Sequence, residues 1–67
     1  MFVVVKSVTK QDLTIIADML EHARIQVQGC AVFGEDGMLL IEDGHAIEAL
    51  DFLGRYGITA QLDPARN

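Results

Sequence analysis

The sequence predicts one small α+β domain in the order strand, helix, strand, hairpin, strand, helix, strand. Three observations carry this. Short runs rich in valine, isoleucine and leucine alternate with two stretches of helical periodicity. A Gly-Glu-Asp-Gly segment (34–37) sits between two apolar runs near the middle, which reads as a hairpin. Finally, an offset of about 33 positions lays one half of the chain over the other: Val8 falls on Ile41, Leu13 on Ala46, Ala17 on Leu50, Leu20 on Leu53 and Ile25 on Ile58. The expected architecture is a ferredoxin-like βαββαβ sandwich, with right-handed crossovers placing both helices on one face of a four-stranded antiparallel sheet.

In chain order, Phe2 to Val8 reads as the first strand, because Val3, Val4, Val5 and Val8 are β-branched. Thr9 opens a helix: its hydroxyl caps the first turn, and Asp12 stands at the third helical position, a variant of the capping box. Leu13, Ile16, Ala17 and Leu20 form the apolar face. Ile25-Gln26-Val27-Gln28 alternates as a second strand that continues from Cys30 to Phe33, with a bulge at Gly29. Met38 to Ile41 makes the third strand. Asp43 caps a second helix burying Ala46, Ile47, Ala49, Leu50 and Leu53, and Gly57 closes it in the left-handed conformation. Ile58 to Leu62 is the last strand. The domain spans 1–63, and 64–67 form a C-terminal tail.

Composition narrows the function. At 67 residues and 51% hydrophobic, the chain carries more apolar surface than so small a fold covers by itself. One cysteine excludes a disulfide framework, and Cys30, His22 and His45 lack metal-ligand spacing. Self-association is therefore the expected extra source of stability. The strands agree: Phe2 to Val5 and Met38 to Ile41 are apolar at every position, as in strands buried on both faces. A formal charge of −5, with five scattered basic residues, argues against nucleic acid. No apolar run approaches the roughly 20 residues of a membrane span. The lone cysteine fits a reducing, cytoplasmic setting.

Residues with possible chemistry read mostly as structural. Cys30 lacks a nucleophile motif and is expected to be buried or half-buried. His22 complements the dipole at the end of the first helix, and His45 is an exposed residue of the second. Glu42 and Asp43 cap a helix, while Glu35 and Asp36 tip the hairpin. No matched acid and base emerge, so the chain is not expected to be an enzyme, and no cofactor is implied. Gln26 and Gln28, on one face of an alternating strand, are the strongest ligand candidates.

The arrangement resembles the ACT domain, a regulatory amino-acid-sensing module found with enzymes of amino-acid metabolism. The resemblance covers nearly the whole chain: the loop Thr9-Lys10-Gln11-Asp12 before Leu13, the strand Ile25-Gln26-Val27, the run Asp36-Gly37-Met38-Leu39-Leu40-Ile41, the helix with Ala46-Ile47-Glu48-Ala49-Leu50, and Tyr56-Gly57-Ile58-Thr59. It implies a homodimer, possible docking on an amino-acid-metabolism enzyme, and an amino acid or similar small molecule bound at the subunit boundary by Lys10, Gln11, Asp12, Gln26 and Gln28. The loop glycine and the pre-strand glycine of that family fall here at Gln11 and Arg24. The alternative reading is a ligand-free interaction or assembly module with the same fold.

Overall fold

The computed structural model describes residues 1–63, and the tail expected at 64–67 lies outside the described residues. The elements are β1 (Phe2–Val5), α1 (Lys10–His22), β2 (Val27–Phe33), β3 (Asp36–Ile41), α2 (Asp43–Arg55) and β4 (Ala60–Asp63). The strands form one antiparallel sheet in the order β2-β3-β1-β4, with two helices, a ferredoxin-like arrangement. β1 and β3 are central, and β2 and β4 are the edges.

The core lies between sheet and helices. Val3, Leu39 and Ile41 from the strands meet Leu20, Ala49 and Leu53 from the helices, all fully buried. α1 starts as expected, with the Thr9 hydroxyl accepting from the Asp12 amide at 3.1 Å. α2 starts differently: Glu42 occupies the cap position without a side-chain cap bond, and Asp43 is already helical. Its carboxylate instead lies 2.9 Å from the Met1 amino nitrogen. Ile47, expected in the core, is 65% exposed. Ala46, Ala49 and Leu53 define a narrow stripe, and each residue advances about 100° around a helix, which turns Ile47 off it.

Both helices end alike. Arg24 (φ +66°) and Gly57 (φ +74°) each adopt the left-handed conformation. The following amides reach back, Ile25 to the Leu20 carbonyl at 2.9 Å and Ile58 to the Leu53 carbonyl at 3.0 Å. These are paired Schellman closures. They consume the Ile25 and Ile58 amides, so β2 and β4 begin two residues later than the apolar pattern predicts.

The other boundaries shift for equally local reasons. β1 stops at Val5, and Ser7 takes a left-handed φ of +53°, yet Val8 remains buried. The hairpin loop is only Gly34–Glu35, because Phe33 pairs with Asp36, and Gly34 supplies the positive φ. Asp36-Gly37, expected in the turn, belongs to β3. Gly37 serves packing there: a Cβ would lie 2.6 Å from Val8 Cγ1 and 2.7 Å from Leu13 Cδ1. The β2 bulge spans Val27 to Gly29, so the unpaired residue is Gln28, not Gly29. The bulge shifts the alternation by one residue. Val27 and Val32 thereby keep partners in the helix-side register, Ile41 and Gly37, although one is odd-numbered and the other even.

Candidate functional site

Two regions have the features of a site: the ends of α1 beside the β2 edge, and the face of the sheet away from the helices.

At the N-terminal end of α1, Lys10, Gln11 and Asp12 are all exposed. The loop leading to them is held against the hairpin: the Val8 amide donates to the Glu35 carbonyl at 2.8 Å, and the Ser7 amide to Asp36 Oδ1 at 3.3 Å. Lys6 Nζ reaches the same carboxylate at 3.4 Å. Lys10 accordingly borders a groove with Ser7, Val32, Gly34 and Glu35, which brings the helix start beside the far end of β2. Asp12 lines a different groove with Ile15, Met19 and Ile58. Of the free amides in the first turn, that of Asp12 is already taken by Thr9.

Gln26 and Gln28 lie at the opposite end. Both are exposed; Gln26 precedes β2 beside Glu21 and Arg24, and Gln28 is the bulged residue. The 13 residues of α1 separate the two groups by about 20 Å along the helix axis. Within one chain the five candidate residues therefore do not converge.

β2 itself is notable as an edge. Its sequence, Val-Gln-Gly-Cys-Ala-Val-Phe, holds no charged residue and no proline over seven residues. Natural edges are ordinarily shortened, bulged, bent away or charged, and of these devices β2 carries the bulge at Gln28 near its start. The opposite edge, β4, is four residues long and ends in Asp63. Cys30 is exposed, contrary to the burial expected for it, because an edge strand has a neighbour on one side only.

The second region is the sheet's outer face. Phe2, Val4, Met38 and Leu40 of the central strands turn toward it, opposite the fully buried helix-side positions. Across β2, Gly29 pairs with Leu40 and Ala31 with Met38, so both belong to this face. Together with Phe2 and Phe33 these residues line an apolar groove of about 400 Å³. The continuous apolar runs of β1 and β3 signalled this face. The groove within it follows from Gly29 and Ala31, whose small size matters only once the register is known.

Electrostatics are mild. His22 Nδ1 lies 2.9 Å from the Asp18 carbonyl oxygen and 3.6 Å from its carboxylate. That hydrogen bond first, and the Asp18 charge second, raise the imidazole pKa above its ordinary value. His45 stands exposed between Glu42 and Glu48, at 3.9 and 3.8 Å. Among the described residues no group of three or more His, Cys, Asp or Glu side chains is arranged to hold a metal ion, and no helix is long and apolar enough to cross a membrane.

Comparison of the chain with protein-family models, with curated proteins and with solved structures found no match to any of them.

Proposed function

We propose that the chain is a non-catalytic regulatory module of the ACT-like type, which pairs with a second copy along β2 and binds an amino acid at the boundary. The observation that carries this reading is the open β2 edge, seven residues without charge or proline. An antiparallel partner strand satisfies its outward backbone groups and extends the sheet. Antiparallel pairing sets the Val27 end of one copy against the Phe33 end of the other. Because the Phe33 end adjoins the start of α1, Gln26 and Gln28 of one copy then come to the helix start of its mate. Lys10 lies on the groove there, with Gln11 next to it and Asp12 on the groove toward Ile58. Two such boundary sites arise per pair by symmetry. Lys10 and the remaining first-turn amides suit a carboxylate, and the glutamine carbonyls suit an ammonium group.

Regulation in this scheme requires a ligand that binds one assembly geometry more tightly than another. The target is an enzyme of amino-acid metabolism in the cytoplasm, on which the pair docks.

The second reading, a ligand-free assembly module, is favoured by one feature: Thr9 already occupies the Asp12 amide, leaving less of the helix start for a carboxylate. A thermal-shift screen against the common amino acids, with mass by light scattering in the same buffers, separates the two. Ligand at a hundred times its Kd stabilises by about 2.7 kcal/mol, several degrees or more in a domain of this size. A shift with one amino acid, lost in Gln26→Ala, supports the sensing site. A stable pair with no shift from any amino acid leaves the assembly module, and a single-copy mass at every concentration contradicts both.

A further inference from the structure

The outer face of the sheet pairs a projection with its own recess. Along β2, Gly29 and Ala31 leave a depression, and Phe33, next on that side, stands 64% exposed beside it. A two-fold axis lying in the contact plane near Ala31 sets each Phe33 over the other copy's Gly29, since the two residues are equally spaced from Ala31. Such a contact is isologous, the same surface used twice.

Charge favours the same occupant. The protein has ten acidic residues and a net charge of −5, so most of its surface repels a copy of itself. Only Asp36 and Asp63 fall in the register of the outer face, at opposite ends of the sheet, and Asp36 is paired with Lys6. The groove between them is lined without a charged residue.

We infer that the outer face is a second self-association surface, on which two edge-joined pairs stack sheet to sheet with Phe33 seated reciprocally over Gly29 and Ala31. The four-copy arrangement rests on the proposed β2 pairing, whereas the face contact stands independently of it.

Light scattering on four proteins tests this: wild type, Met38→Glu on the face of the central strand β3, Cys30→Lys at the middle of the edge, and the double variant. Leu40→Glu serves as a second face variant, and Ile47→Glu as an exposed control on the helical layer. Circular dichroism checks that each is folded. The expected masses are four copies for wild type and control, two for either single variant, and one for the double. A two-copy wild type unchanged by Met38→Glu and Leu40→Glu overturns the face contact and leaves the β2 pair standing. Cys30→Lys falling to one copy also overturns it, because the face then holds nothing by itself. If the face variants fall to one copy while Cys30→Lys matches wild type, the β2 pairing fails and the face contact survives.

Discussion

The two halves of the molecule are the same motif set to different uses. The helices begin at residues 10 and 43 and end at 22 and 55, 33 positions apart at both ends. The strands after them begin at 27 and 60, again 33 apart. Even the ion pairs correspond: Asp18 with His22 in the first half, Asp51 with Arg55 in the second. The halves diverge before the helix and after the second strand's start. A four-residue loop, 6–9, separates β1 from α1, but Glu42 alone separates β3 from α2. β2 runs for seven uncharged residues, whereas its counterpart β4, Ala60–Asp63, includes a charged one. The matched helices and their closures supply Leu20 and Leu53 to the core, the unmatched loop adds Val8 to it, and the uncharged β2 leaves the open edge.

The largest test of equivalence is the pair Leu20 and Leu53, which fill matched positions and are both fully buried. Leu20→Ala and Leu53→Ala should each cost about 3 kcal/mol in chemical denaturation. Costs differing by more than about 2 kcal/mol would mean that one half dominates the core.

Next comes the extra loop of the first half. Val8 and Leu13 crowd the position where Gly37 would carry a Cβ, so Gly37→Ala should destabilise by about 2 kcal/mol. Val8→Ala should relieve part of that cost, and a double-mutant cycle reads the coupling. Additive effects would show that the loop does not press on β3.

The helix closures come third. Arg24 and Gly57 hold the same left-handed backbone, but only one is glycine. Gly57→Ala should cost about 1 kcal/mol, while Arg24→Gly should gain about 0.5 kcal/mol, the relief of strain being partly offset by a freer unfolded chain. Equal signs for the two would break the correspondence of the closures.

The smallest effect is the pH dependence of the matched ion pairs. The His22 pKa is raised in the folded state, so the pair with Asp18 contributes in full below about pH 6.5 and is lost as pH rises through the elevated value. The matched pair of the second half, Arg55 with Asp51 at 2.9 Å, contains no imidazole. His22→Gln should therefore flatten the fall in stability across that window, and Arg55→Gln should leave it in place. A slope unchanged by His22→Gln would remove this distinction.

Much of the fold was legible in the sequence because its cues are local. Thr9 as a cap, Leu13, Ile16 and Leu20 as a buried stripe, and Gly57 as a closure each depend on neighbours within a turn or two. The errors lie where a distant partner decides. Gly37 looks like a turn residue until Val8 and Leu13 are seen over it. Ile47 fits the helical pattern until two alanines narrow the buried stripe. Cys30 reads as buried until the strand order makes β2 an edge. The exposure of Lys10, Gln11, Asp12, Gln26 and Gln28 was legible residue by residue. Their separation along α1 was not, because spacing within a sequence does not show which end of a sheet a residue reaches.

Amide hydrogen exchange of β2 measured over a dilution series, with β4 as the internal comparison, tests the proposed pairing most directly. The expected result is protection of the outward amides of Val27–Phe33 at high concentration that disappears on dilution, with β4 unchanged. Rapid exchange of those β2 amides at every concentration would contradict pairing along this edge.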